Sequence, residues 1–409
     1  MRISMLALGS RGDVLPCLAL GEALVRAGHH VDFITFNSYT PMFAGSPVGF
    51  HPIPGDAEAL VQQSGINLLA LASRFGRAAE VIAAGVSTLG PVVAGSDLLL
   101  NQLPGGIYGG ELAEKNRVPM ALMGVLPLQP TAAFPASGMP KFLDSSAAYN
   151  QLTYRLAEQL AWELVRRPVA KLRRQLGLDA LPRLHPFRRR EALPVLYGFS
   201  RYVVPPPPDW GENVQVTGWW FPEQPGWQPP DALERFLEAG QPPVFIGFGS
   251  MPMKHPDKVT SLILAALRQT GQRAVLGAGW SGLGSAELPE GVFALDYAPY
   301  SWLFPRMAAA VHHGGSGTTG FAVRAGIPSL VVPFLFDQVD WGSRLYKLGV
   351  AARPLPFRRL RADALAASLE QIAGNAEMGR RAAALGRLVA QEDGLHRAVQ
   401  AIENLTEAA

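Results

Sequence analysis

One cysteine, Cys17, stands in a chain of 409 residues. No internal disulfide can form, so nothing calls for an oxidising compartment, and Cys17 reads as a small buried hydrophobe among leucines. Charge is scarce: Asp, Glu, Lys and Arg make up 17% of the residues and leave a net charge of +3. That argues against a nucleic-acid binder, which needs a concentrated basic stripe. Uncharged apolar runs stop short of the roughly 20 residues that a membrane helix needs. Met1 to Leu8 is apolar but is soon interrupted by Arg11 and Asp13, which fits a first strand better than a signal peptide. A cytoplasmic protein is the expectation. No cluster of Asp, Glu or His shows metal-ligand spacing, so no metal site is expected.

One stretch departs from this sparse charge. Arg166, Arg167, Lys171, Arg173, Arg174, Arg183, Arg188, Arg189 and Arg190 fall together, with Asp179 the only acid among them. Such a run is either a solvated helix face or a surface that meets anionic lipid, which keeps peripheral membrane contact among the expected partners.

Hydrophobic residues reach 48%, with 43 Gly and 35 Pro. This is a folded, loop-rich chain, and its length exceeds the roughly 250–300 residues at which single cores stop growing. Two α/β series follow one another. The first opens with a strand at Arg2–Leu8, a turn at Gly9–Asp13, a helix with Pro16 in its first turn, Gly28 as its stop, and a strand at Val31–Phe36. Long helical material from Ser145 to Leu176 is expected to break near Pro168. Prolines at 205–208, 222, 225, 229 and 230 mark a semi-rigid linker. Alternation restarts at Val244–Phe248 and continues through Ala309–His312 and Ser329–Val332. The expected division is 1–204, a linker over 205–230, 231–390, and a terminal helix over 391–409.

The sharpest segment is His312-His313-Gly314-Gly315-Ser316-Gly317-Thr318-Thr319, between a strand and a helix. Glycines allow a ligand close to the backbone, and helix N-terminal amides favour phosphate. An ordinary tight loop with a helix cap fits the same residues. Further on, Asp337 and Gln338 would lie at the end of the strand that opens at Ser329, and a carboxylate beside an amide suits sugar hydroxyls as well as it suits a surface turn.

Several blocks, in order, resemble the family 1 glycosyltransferases of the GT-B fold, in the branch of sterol 3-beta-glucosyltransferases and glycopeptide-antibiotic glycosyltransferases. They are Gly9-Ser10-Arg11-Gly12-Asp13-Val14 with Gly28-His29, Pro127-Leu128-Gln129-Pro130-Thr131 with Phe134-Pro135, Thr217-Gly218-Trp219-Trp220-Phe221, Gly247-Phe248-Gly249-Ser250-Met251, the glycine-rich loop, and Asp337-Gln338 with Trp341-Gly342. The resemblance implies two Rossmann-like domains facing across a cleft. It implies an inverting hexosyltransferase with a nucleotide sugar, first of all UDP-glucose, as co-substrate and no bound cofactor. His313, Gly315, Ser316, Gly317 and Thr318 would hold the diphosphate, Asp337 and Gln338 the sugar, Tyr297 and Ala298 the base, and Ser250 would approach the donor. Many plant members carry a glutamate for the ribose where this chain has Phe321, so a thymidine diphosphate donor stays open.

An acceptor hydroxyl needs a base as its oxygen attacks. Asp13 is the candidate; the other reading is a helix cap or an ion pair with Arg11. Where plant members pair a histidine with an aspartate, this chain offers Asp13 and Asn101. Apolar, irregular stretches at Leu126–Phe134 and Ala59–Phe75 suggest the wall of a pocket for a lipophilic, hydroxylated acceptor, with Pro127, Leu128 and Phe134 in it, or else plain core packing. The competing functions are a sugar-nucleotide epimerase of the same fold and a degenerate homologue that binds lipid or activates a partner.

Overall fold

The computed structural model describes residues 1–56, 85, 89–103, 108–141, 143–184, 192–224, 226–249, 251, 253, 255–278, 283, 288–334 and 336–407. The chain divides into two compact units: unit 1 holds Met1–Arg201, Pro205–Pro222 and Asp393–Ala409, and unit 2 holds Tyr202–Val204 and Glu223–Glu392.

Unit 1 contains the strands β1 (Arg2–Leu6), β2 (His30–Phe36), β3 (Gly49–Ile53), β4 (Leu98–Leu103), β5 (Met120–Gly124), β6 (Val195–Tyr197) and β7 (Val214–Val216), and the helices α1 (Arg11–Arg26), α2 (Gly109–Asn116) and α3 (Ala147–Leu176). The described strands form one parallel sheet in the order β3-β2-β1-β4-β5-β6-β7. Parallel strands covered on both faces read as continuous apolar runs. So it is with β1, where Ile3, Met5 and Leu6 are buried. Its one buried polar residue, Ser4, is satisfied by Ser96, whose hydroxyl lies 2.7 Å away.

Unit 2 contains the helix α4 (Asp231–Glu238), β8 (Val244–Gly247), α5 (Pro256–Thr270), β9 (Ala274–Gly277), β10 (Val292–Leu295), β11 (Ala309–His312), α6 (Ser316–Arg324), β12 (Ser329–Val331), α7 (Phe336–Lys347), α8 (Ala362–Gly374) and α9 (Ala376–Ala390). Its sheet is parallel, in the order β10-β9-β8-β11-β12. The terminal helix α10 (Gly394–Glu407) belongs to unit 1 and packs on α1. Its Ala398, Val399, Ala401 and Ile402 are buried in the same cluster as Leu20 and Leu24 of α1, and the His29 ring meets the Glu403 carboxylate at 3.1 Å.

Strand order fixes where ligands can sit. In unit 1 the chain reverses direction across the sheet between β1 and β4, and in unit 2 between β8 and β11. In open α/β sheets the crevice at the carboxyl ends of such a pair is the binding place. Those ends carry Gly9–Asp13 and Asn101–Leu103 in unit 1, and Gly249 and His312–Ser316 in unit 2.

Three local expectations are corrected. Helix α1 starts at Arg11, so Pro16 lies inside it rather than in its first turn, and Asp13 is helical rather than part of the turn. The carbonyl that Pro16 leaves without an amide belongs to exposed Gly12, where water can serve it. Helix α3 does not break at Pro168; Trp162, Val165, Val169, Leu172 and Leu176 are buried on both sides of the proline, and that continuous stripe holds the helix together. Residues 205–222, read from the sequence as part of a semi-rigid linker, are grouped with unit 1 and carry its strand β7. As the edge strand β7 tolerates flanking prolines, and Trp220 anchors the exit by packing on Gly198 and donating to the Thr217 hydroxyl at 2.9 Å.

Candidate active site

The β1–α1 turn of unit 1 is built around one carboxylate. Asp13 is the third residue of α1, and its Oδ2 accepts the Ser10 N–H at 2.8 Å and the Ser10 hydroxyl at 2.9 Å. A carboxylate at this position satisfies an amide that the helix cannot reach and complements the helix dipole. Gly9 makes room for it: a Cβ there would stand 2.5 Å from Asp13 Oδ2. The helix-cap reading of Asp13 is therefore realised, and the cap itself uses only one of the two oxygens. The other, Oδ1, faces the Gln102 amide nitrogen at 3.5 Å. Burial raises the Asp13 carboxyl above its ordinary value, and the two bonds from Ser10 pull the other way.

Neighbouring β4 supplies Asn101 and Gln102, both fully buried. Asn101 packs against Gly109, and neither polar atom of its amide has a hydrogen-bond partner among the described residues. Gln102 donates to the Leu103 carbonyl at 2.8 Å while its nitrogen points toward Asp13. Nothing in sequence spacing signals Gln102, 89 residues from Asp13; only the pairing of β1 with β4 brings the two together.

In unit 2 the glycine-rich loop joins β11 to α6. His312 is buried, and its Nδ1 accepts the Gly314 N–H at 3.1 Å. The His313 ring lies between two glycines: a Cβ at Gly249 would come within 2.9 Å of its Cε1, and one at Gly315 within 2.5 Å of its Nε2. Burial pushes His312 down to about 3, with His313 adding to the shift, and burial pushes His313 down to about 4. Both rings are neutral at pH 7, and a neutral imidazole still has one N–H to donate. Gly315 caps α6 through its carbonyl, which accepts the Thr319 N–H at 2.9 Å. Helix geometry leaves the amides of Ser316, Gly317 and Thr318 without an acceptor inside the helix. The Cα of Gly317 faces open space.

Asp337 and Gln338 stand in the first turn of α7, not at the end of β12 as the sequence suggests. The Gln338 side chain is buried; its oxygen accepts the Phe334 N–H at 2.7 Å, and its nitrogen meets the Met251 sulfur at 3.3 Å. Tyr297 is 45% exposed and its hydroxyl donates to Gln224, while Ala298 is buried in the cluster of Phe245 and Phe304. Phe321 packs edge-on to Tyr300 at 6.0 Å. Ser250 and the stretch Ala59–Phe75 lie outside the described residues. Among the described residues no group of three or more His, Cys, Asp or Glu is disposed to hold a metal ion.

The apolar segment after β5 is pinned from several sides. The amides of Leu128 and Gln129 donate to the Tyr197 hydroxyl at 2.9 and 2.8 Å. Asp209 accepts from the Thr131 hydroxyl and the Ala132 amide, both at 2.6 Å. Phe134 meets Trp210 edge-on at 6.3 Å. Pro127, Leu128 and Phe134 stay half-buried. A loop of apolar residues is thus held rigidly by polar anchors beneath it. Tyr197 and Asp209 carry that work, and no motif points to either.

A family model described as Erythromycin biosynthesis protein CIII-like, C-terminal domain, matches residues 264–402. Another, Glycosyltransferase family 28 N-terminal domain, matches residues 3–93. The chain is 36% identical over 423 residues to O-mycaminosyltylonolide 6-deoxyallosyltransferase of Streptomyces fradiae, covering 100% of this chain and 98% of that protein. It is 33% identical over 435 residues to a sterol 3-beta-glucosyltransferase of Cryptococcus neoformans, covering 98% of this chain and 27% of that protein. The chain therefore spans about a quarter of that fungal relative's length. The solved structure of the glycosyltransferase VinC in complex with DTDP is similar in fold, with a TM-score of 0.67, 19% identity and 100% of both chains covered.

Proposed function

This chain belongs to the glycosyltransferase family of its Streptomyces and fungal relatives, and from that membership we propose that it transfers a hexose from a nucleoside diphosphate sugar to a hydroxyl of a lipophilic small molecule. The acceptor class is a sterol, a polyketide or a related natural product, since the two relatives are named for a sterol and for a tylonolide. UDP-glucose is the proposed donor, and dTDP-glucose is the comparison to run against it, because VinC was solved with DTDP.

The observation that carries this reading is the His313 ring set between Gly249 and Gly315 at the N-terminus of α6. A neutral histidine N–H beside helix amides suits the oxygens of a diphosphate. In the proposed reaction the acceptor oxygen attacks the anomeric carbon from the side opposite the diphosphate, and Asp13 takes the hydroxyl proton. The bond from the anomeric carbon to the phosphate oxygen breaks, its electron pair leaves with the diphosphate, and the configuration inverts. His313 and the amides of Ser316, Gly317 and Thr318 meet the charge that develops on the leaving group. Asp337 is assigned to the sugar hydroxyls. Gln338 is assigned to them through its nitrogen, because its oxygen already serves Phe334. Pro127, Leu128 and Phe134 are assigned to the acceptor.

A panel of sterols, macrolides, flavonoids, hydroxy fatty acids and simple sugars, run with each donor and read by mass spectrometry, tests the proposal. Glycosides of one lipophilic class are expected, with donor stable when no acceptor is added. Donor consumed equally without acceptor, or transfer to free sugars alone, would contradict it.

A further inference from the structure

Helix α3 turns a mismatched face outward. Leu152, Leu156 and Leu160 recur every four residues and so share one strip of the helix. They are 50%, 50% and 53% exposed, although the opposite strip buries Tyr154, Trp162, Val165 and Val169. Along the same outward strip, about 10 Å beyond Leu160, the residues become basic. Arg167, Lys171 and Arg174 are exposed there, and Arg155 flanks the leucines. The one acid on that strip, Glu163, is paired with Arg166 at 2.7 Å. A further leucine, Leu184, is 65% exposed beside the helix, where the adjoining Arg183 carbonyl accepts from Gln159 at 3.2 Å. Arg173, although it belongs to the same basic run, is buried in a two-bond pairing with Glu114 and takes no part.

We propose that this face of α3 docks on an anionic phospholipid bilayer, with the leucines in the acyl boundary and Arg167, Lys171 and Arg174 on lipid phosphates. Leucines and cations on one helix face are the composition of an interfacial helix. Charge complementarity selects the occupant, because a second copy of the chain would bring the same cations and no counter-charge for them. The helix lies on the bilayer and does not cross it; no described helix is long and apolar enough to span one. The proposal rests on this face and not on the acceptor assigned above.

Vesicle flotation of the full chain tests it, with sterol-free vesicles of phosphatidylcholine alone or with about 30 mol% phosphatidylserine. Binding to the anionic vesicles is expected, weakening as salt rises and absent on neutral ones. Each of Arg167→Gln and Lys171→Gln should weaken it about fivefold. Leu156→Glu should weaken it about tenfold or more, and because Leu156 is exposed the fold should survive, which the melting temperature checks. Should Leu156→Glu fail to fold, the two charge variants decide alone. Equal binding to both vesicle types, no binding at all, or variants that bind like wild type would overturn the proposal. So would a concentration-dependent dimer that Leu156→Glu dissociates while vesicle binding is absent.

Discussion

A Cβ on Gly314 would stand 2.9 Å from the Gln338 carbonyl oxygen and 2.6 Å from a methyl of Val331. The glycine-rich loop and the first turn of α7 therefore press together at a point where only glycine fits, and the Gly314 backbone, at φ 91°, is in a region that other residues rarely adopt. Gly314→Ala is expected to cost about 2–4 kcal/mol of stability, from strained backbone plus overpacking. Denaturant melts measure this, and a near-neutral change would show that the loop and α7 can separate.

His313 and Gln338 should fail differently when truncated. His313→Ala is expected to weaken binding of free nucleoside diphosphate about tenfold, whatever sugar is attached, as the loss of a hydrogen bond to a charged group would. Gln338→Ala should leave that affinity near wild type and change the discrimination between sugars. Calorimetric titration with the sugar-free diphosphate separates the two. Equal weakening by both substitutions would contradict the assignments.

Acid should destabilise unit 2 through its histidines. Burial holds His312 down to about 3 in the folded chain, against an ordinary value near 6.5. A depressed folded value means that the unfolded chain binds more protons, so the contribution is full above about 6.5 and is lost as pH falls toward 3. At pH 5 the loss relative to pH 7.5 is on the order of 2 kcal/mol for His312 alone. His312→Asn should flatten the dependence of melting temperature on pH over that window. An unchanged slope would show that the ring is not neutral in the fold.

Removing α10 tests the end of the chain. Truncation after Gln391 strips Val399 and Ile402 from the core that they share with α1. Burial of two such side chains stabilises by about 3–6 kcal/mol, so a lower melting temperature is expected. A truncated chain that melts with the full-length protein would show that α10 contributes nothing to unit 1.

Much of this was legible in the sequence. Apolar runs ending in glycine located β1, β8 and β11, and the sharp segment at His312–Thr319 does join a strand to a helix. Several features were not legible, for physical reasons. Pro16 and Pro168 read as helix limits, yet the buried residues around each proline hold α1 and α3 continuous. Leu152, Leu156 and Leu160 have the spacing of a core stripe and face outward, because Tyr154, Trp162 and Val165 occupy the inward face instead. Gln102 beside Asp13 follows from the order of strands in the sheet, which local patterns do not carry. The engagement of Gln338 with Phe334 depends on where α7 begins, and element ends are the least determined part of a pattern reading.

The central claim is that Asp13 takes the acceptor proton, and Asp13→Asn tests it most directly. Turnover should fall about 10²–10⁴-fold, the usual worth of a general base. Donor affinity should stay within about twofold, and stability should change little, because the amide oxygen of Asn can still accept from Ser10. Because burial raises the Asp13 carboxyl and a base must be ionised to act, wild-type kcat/KM should fall, as pH is lowered, at a higher pH than an ordinary carboxylate would give. Steady-state rates for the variant with the preferred lipophilic acceptor, taken beside calorimetric donor titration, decide the matter. The account predicts lost turnover with retained donor binding. Near-normal turnover would remove Asp13 from the reaction and leave it only as the cap of α1.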